Sequence, residues 1–385
     1  MIRRFPNHQL TYYSTSQSYA FRNLPQSDVD KPTEYSHGFS SDQGRSKLPI
    51  TSLGINIRDA KIGCISVIAF SPEGQLLVAA DGSKLLSGDH RDITVWDADS
   101  GSVVQTLSDS QPEWSLNYHI TFSPNCKLLA AARGSGFRLW EVSTGNILLV
   151  SIHWCNFTAF SSDNKRLAVS EGQLVRVIDV ISGVTLQKLD IDEHSTYALF
   201  NAAIAFAPND QLICLDRNHR CLRLWDMAAN LVEVRYSTEQ RVYSCAVSVS
   251  PDGLLVAAVW HTSSNYILEL RETKKGGANV WTQHTQTQFG RVALTFSADG
   301  KMLATARVSA ISLYNVASGS LLKEFQWRGR GEENLPQYLA ACAFSPDGKR
   351  FASSASDDGT VKWLKHSRPK RWGDKWVLHV RLKQN

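Results

Sequence analysis

Eleven histidines, 36 acids and seven cysteines could in principle support acid–base, nucleophilic or metal chemistry, so their spacing is tested first. The chain holds no GxSxG elbow, no phosphate-binding P-loop and no HExxH pair. His153, His194, His219, His261, His284 and His379 share no spacing that would gather them into a ligand or base set. Cys64, Cys126, Cys155, Cys214, Cys221, Cys245 and Cys342 are odd in number and form no CxxC pair. That speaks against a disulfide framework or zinc site, and for small buried apolar residues in a reducing compartment. "SDDGTVKW" approaches a Ser-x-Asp-x-Gly-x-x-Trp box ending at Gly359 and Trp363, but Ala355 stands in the Ser place before Asp357. Asn156-Phe157-Thr158 is a glycosylation sequon in a predicted strand, and we read it as no acceptor. No catalytic, cofactor or metal residues are assigned, and an enzyme is not expected.

What remains is recognition chemistry. Trp, Tyr and Arg give large contact area for little lost entropy, and the question becomes which elements could hold them. The chain has 385 residues, 43% of them hydrophobic and 20% charged, with a net charge of +5. That is enough for a substantial core, and the mild charge does not by itself imply nucleic acid. No apolar run reaches the ~18 residues of a membrane span, and no signal-peptide pattern opens the chain. Residues 1–50, rich in Ser, Thr, Tyr, Gln and Pro, read as a disordered polar tail, and 51–385 as the folded domain. Its last part, 362–385, is basic: Lys362, Lys365, Arg368, Lys370, Arg371, Lys375, Arg381 and Lys383 face only Asp374. A solvated tail, a nuclear-import signal or a patch for an acidic partner would each fit.

The folded part repeats itself. "FSPDGKRFASSASDDGTVKW" (344–363) has blurred copies upstream, such as "FSADGKMLATARVSAISLYN" and "VSPDGLLVAAVW". An alternating apolar run ends at Phe70, Phe122, Phe160, Phe206, Val249, Phe296 and Phe344, a spacing of about 46 residues. A tight turn follows. Pro presets its first corner, and Gly supplies positive φ at Gly74, Gly253, Gly300 and Gly348. Asn164 and Asp210 can stand in for Gly, while Cys126 implies a looser turn. About 20 residues on, "ITVWDADSG", "FRLWEVSTG", "VRVIDVISG", "LRLWDM" and "ISLYNVASG" read as a third strand and a turn into a fourth.

These residues resemble the WD40-repeat proteins over 53 to about 365. Trp96-Asp97 and Trp225-Asp226 keep the family's Trp-Asp pair, Trp140-Glu141 nearly so; Ile178-Asp179, Arg271-Glu272 and Tyr314-Asn315 replace it. In the seventh copy Trp363 stands one place early and Leu364 takes the usual Trp position, which should turn the indole to the opposite face. The resemblance implies an all-β, seven-bladed β-propeller, each blade a sheet too thin to bury both faces alone. "SLGINIR" (52–58) and "WVLHVRL" (376–382) compete to complete the last blade, the first being favoured. The Gly-His pair that feeds the family's buried network is absent, so apolar packing is expected to hold the blades.

The family docks peptides and proteins on the rim formed by the fourth-to-first and second-to-third strand loops. Carried onto this chain, the partner-binding candidates are Arg58, Trp114, Tyr118, His153, Trp154, Tyr197, Tyr243, Arg291 and Tyr338 on the first set of loops. Trp260 and Arg307 lie on the second, near Asp81, Arg133, Asp216, His261 and Asp357. The insertions 79–92 and 326–339 enlarge that rim. The leading expectation is a non-enzymatic scaffold for protein or peptide partners, such as a substrate receptor or assembly platform. It would be intracellular (cytoplasmic or nuclear), monomeric within a larger complex and without cofactors. Phosphoinositide or nucleic-acid binding through the basic C-terminus, and a propeller hydrolase, are the alternatives.

Overall fold

The computed structural model describes residues 65–81, 93–108, 117–133, 136–171, 174–190, 203–216, 221–227, 231–236, 242–262, 265–274, 276–286, 292–307, 310–326, 339–348, 350–355 and 361–365. The chain divides into Met1–Ile50 and Thr51–Asn385, and every described residue belongs to the second unit. The expected tail, both long insertions beyond their strand ends, and the basic run from 366 onward lie outside the described residues.

The described residues contain strands and turns and no helix. The first sheet is β1 (Ile65–Phe70), β2 (Leu76–Asp81), β3 (Ile93–Asp97) and β4 (Val103–Leu107). The second is β5 (Asn117–Phe122), β6 (Leu128–Arg133), β7 (Gly136–Glu141) and β8 (Ile147–Ser151). The third is β9 (Cys155–Phe160), β10 (Arg166–Glu171), β11 (Leu174–Asp179) and β12 (Thr185–Asp190). The fourth is β13 (Ala203–Phe206), β14 (Gln211–Asp216), β15 (Cys221–Asp226) and β16 (Leu231–Tyr236). The fifth is β17 (Val242–Val249), β18 (Leu255–Thr262), β19 (Asn265–Glu272) and β20 (Asn279–Gln286). The sixth is β21 (Val292–Phe296), β22 (Met302–Arg307), β23 (Ala310–Asn315) and β24 (Leu321–Gln326). The last is β25 (Leu339–Phe344), β26 (Arg350–Ala355) and β27 (Val361–Lys365).

Every sheet is an antiparallel meander in chain order. There are six complete four-stranded blades rather than the seven expected, followed by a sheet with three strands among the described residues. The candidate fourth strands, 52–58 and 376–382, both lie outside the described residues. All seven first strands end on the residues the repeat marked, from Phe70 to Phe344.

The turn after each first strand shows why the repeat is kept. Ser71, Ser123, Ser161, Ser250, Ser297 and Ser345 are all at most 2% exposed. Each hydroxyl accepts the amide of the residue five places on, for example Leu128 at 2.9 Å and Met302 at 2.9 Å. Five of them also donate to the Asp or Asn two places on, as Ser297 does to Asp299 at 2.7 Å. The left-handed corner falls on Gly74, Gly253, Gly300 and Gly348, with Asn164 (φ 64°) and Asp210 (φ 68°) as stand-ins. The expected looser turn at Cys126 is not found. Its φ is 60° and its amide donates to Ser123 O at 2.9 Å, as Gly300 does to Ser297 O. The bond from buried Ser123 to exposed Asn125 holds the corner, so a thiol side chain is carried there at some strain.

One apolar core fills each joint between consecutive sheets. On β6, Leu129 and Ala131 pack toward the first sheet, while Ala130 and Ala132 pack toward the third. The period of two thus buries both faces of each sheet. The aromatics of the third strands enter the same cores: Trp140 between the first two sheets, Trp225 between the third and fourth, Tyr314 between the fifth and sixth. The indole Nε1 atoms of Trp96, Trp140 and Trp260 are buried without a hydrogen-bond partner. That agrees with joints held by apolar packing rather than by a polar network. In the last sheet, Leu364 pairs with Phe351 where Trp96 pairs with Leu77 and Trp140 with Leu129. The large ring has moved to the neighbouring strand, and Phe351 is 1% exposed.

The array closes on itself. Arg166, first residue of β10, reaches forward to Asp210 in the fourth sheet's turn, 6.0 Å from the Phe206 ring centroid. Arg350 holds the same place in β26 and reaches the first sheet. It donates to Gly74 O, Ala98 O and Asp99 Oδ1, each at 2.9 Å, and lies 5.9 Å from the Phe70 ring. Pro346 sits against Gly74 as Pro208 sits against Gly253, and β1 lies against β25 and β26. The joint between last and first sheets is an ordinary one.

Candidate functional site

The rim loops that carry most candidate residues fall outside the described residues, with one exception. Between β8 and β9 the chain is described throughout, and Ile152, His153 and Trp154 all face solvent there. Ile152 is 75% exposed and Trp154 45%. β8 has brought them to this place for a local reason. Gly136 opens β7 at φ 139°, and a Cβ there would come 1.8 Å from Ser151 O. Only glycine lets the end of β8 lie so close.

Beneath this rim is a polar knot. Arg138, 2% exposed, donates from Nη1 to Ser151 O at 3.1 Å. Ser151 Oγ donates to Glu171 Oε1 at 3.3 Å, and Arg176 Nη2 pairs with that same carboxylate oxygen. The His153 amide donates to Ser151 Oγ at 3.4 Å. The knot fixes the path of the rim loop, and within it Glu171 is paired with Arg176. A cleft of about 220 Å³ opens beside it, lined by Phe137, Leu149, Val150, Ser151, Ile152, His153, Arg176, Ile178 and Gly183. Its lining combines the apolar side chains of Phe137, Leu149, Val150, Ile152 and Ile178 with polar surface from Ser151, His153 and Arg176.

Other candidates land elsewhere. Trp260 is a correction: it is 0% exposed, in the core between the fourth and fifth sheets. β18 and β19 run for eight residues, so Trp260 pairs with Cys245 inside the ladder instead of entering a loop. His261 beside it is 3% exposed and stacks on Tyr266 at 4.5 Å. Tyr118 and Tyr243 lie within β5 and β17, each the residue skipped at a bulge where the register shifts. Bulges re-aim side chains and often neighbour functional sites. Arg307 ends β22, while Arg58, Trp114, Tyr197, Arg291 and Tyr338 are outside the described residues. The sequon is inert: Asn156 and Thr158 are 3% and 0% exposed. Among the described residues no three His, Cys, Asp or Glu converge as for a metal.

Asp97 and Asp179 are turn residues. Asp97 Oδ1 accepts the Ser100 amide at 2.7 Å and its hydroxyl at 2.7 Å; Asp179 does the same with Ser182. These bonds hold both carboxyls below their usual range. Two features escaped the sequence reading: the structural serines, and the uncharged outer strand that leads to Ile152. The second had a signal, since "ILLVSI" lacks the charge found in "LLKEF".

A family model described as "WD domain, G-beta repeat" matches residues 336–363, the stretch that forms the last sheet and the Arg350 joint. Together with the ring of meander sheets, that match shows a WD40 repeat carried on a β-propeller arrangement. No curated protein matches the sequence. Among solved structures, the chain is similar to Kuenenia stuttgartiensis Hydrazine Synthase at 14% identity and a TM-score of 0.64. The match covers 83% of this chain and 99% of that one. At that identity the likeness shows the propeller fold alone. Among the described residues no helix is long and apolar enough to cross a membrane.

Proposed function

We propose that this WD40 protein is a non-enzymatic interaction scaffold. Its ring of meander sheets presents a loop rim to a protein or peptide partner inside the cell. One observation carries the reading: the fully described rim loop exposes Ile152 and Trp154 beside a cleft, over a knot that rigidifies their backbone. A rigidly held aromatic with apolar neighbours has the character of an interface anchor. WD40 propellers in general mediate protein interactions, and the thiols from Cys126 to Cys342, none in a disulfide among the described residues, suit a reducing compartment.

The test is affinity purification from the native cell with the wild-type chain and a Trp154→Ala/Ile152→Ser variant. The reading expects a partner that the variant loses at unchanged melting temperature, with capture little altered between about 50 and 200 mM salt. Capture that survives the substitutions removes the rim. Capture that collapses with salt points instead to phosphate recognition.

A further inference from the structure

β8 is the outer edge of the second blade, paired on one side only, with β7. Its side chains are apolar nearly throughout: Ile147 is 39% exposed, Leu148 48%, Val150 56%, and Ile152 just beyond 75%. Exposed strand edges of this kind invite pairing and are usually guarded by charge. Other outer strands of this ring are guarded. β12 carries Lys188, β24 carries Lys323 and Glu324, and β20 turns polar after Trp281. β4 has two exposed valines but continues as Gln105 and Thr106. Among these, β8 alone is apolar from its first residue to its fourth, with Ser151 closing it.

Charge selects what covers it. Arg176 is the only Lys or Arg lining the adjoining cleft, and Glu171 already neutralises it. A charged segment laid along β8 would lose hydration and find no counter-charge. The complementary partner is an uncharged, extended, apolar strand, and β8 is such a strand. We propose that two copies of this protein pair through β8, antiparallel about a two-fold axis at Leu149. The pairing sets Leu148 opposite Val150 of the second copy and Ile147 opposite Ser151, so that no like charges meet. Two four-stranded blades become one eight-stranded sheet. The pair departs from the monomer read from the sequence, and it leaves Trp154 at the rim of each ring, giving a two-headed scaffold.

Sedimentation velocity of the purified full chain across concentration tests this. Wild type is expected to dimerise, and Leu148→Lys or Val150→Lys to weaken the dimer at least about tenfold, because each sets a cation in a desolvated edge. Val280→Lys, on a different outer strand, should leave it intact. The double variant Leu148→Glu/Val150→Lys sets opposite charges across the axis and should dimerise better than either single lysine variant. A wild-type chain that stays monomeric overturns the proposal, even if it binds a peptide copy of residues 147–152. So does a dimer indifferent to both lysines. A double variant no better than the singles rejects the Leu149-centred register.

Discussion

The lower turns and the outer edges belong to the same sheets and follow different rules. Six buried serines close six turns by accepting the same backbone amide, and the corner beyond each has the same left-handed backbone whether Gly, Asn or Cys occupies it. The outer strands share little: β8 reads "ILLVS" where β24 reads "LLKEFQ". At the turns, a buried hydroxyl that satisfies an otherwise orphaned amide cannot be exchanged for an apolar group without loss. At the edges, solvent accepts almost any side chain, so composition there is free to answer to partners. The difference assigns stability to the inner, repeated part of the ring and recognition to the unrepeated outer part.

The largest effect that could break this division comes from the inner strands. Burial pushes the imidazole of His119 on β5 down to about 4, and its Nδ1 accepts the Thr158 amide at 3.5 Å. The unfolded chain takes up a proton near pH 6.5 and the folded ring only near pH 4. Stability is therefore complete above pH 6.5 and lost as pH falls through that window, by on the order of 3 kcal/mol. Denaturant midpoints measured against pH should show the slope, and His119→Gln should flatten it.

Next comes the closing joint. Arg350→Ala strips partners from Gly74 O and Ala98 O and is expected to cost about 2–3 kcal/mol in denaturant unfolding. Arg166→Ala, at the same place in an internal joint, should cost less, about 1–2 kcal/mol, because its main partner Asp210 can turn to water. Ser297→Ala should cost about 1–2 kcal/mol by leaving the Met302 amide unpaired. Smallest of all, Leu322→Ser on the outer edge of β24 should shift stability by less than about 0.5 kcal/mol. A cost there equal to that of Ser297 would dissolve the distinction between turn and edge.

The sequence made the ring legible because its backbone demands recur. Positive φ at one corner of each turn leaves Gly, Asn or Asp in place every 46 residues or so, and the strand ends follow. Leu364 in the tryptophan register was readable for the same reason. Trp260 was misread because "VAAVWHT" gives no punctuation where a six-residue strand would stop, and the strand simply runs on. Cys126 was misread because the side-chain bonds that stabilise its corner come from Ser123 and Asn125. Of the rim, only His153 and Trp154 could be followed to exposed positions. The edge of β8 acquires meaning only by comparison with its counterparts in other blades.

Closure of the ring is tested most directly by a double-mutant cycle between Arg350→Met and Phe70→Leu, followed by denaturant unfolding. The two residues lie at opposite ends of the folded sequence and meet only if the last sheet packs on the first. A coupling of about 0.5–1 kcal/mol is predicted. Strictly additive losses would mean that the two sheets do not touch and the array is open.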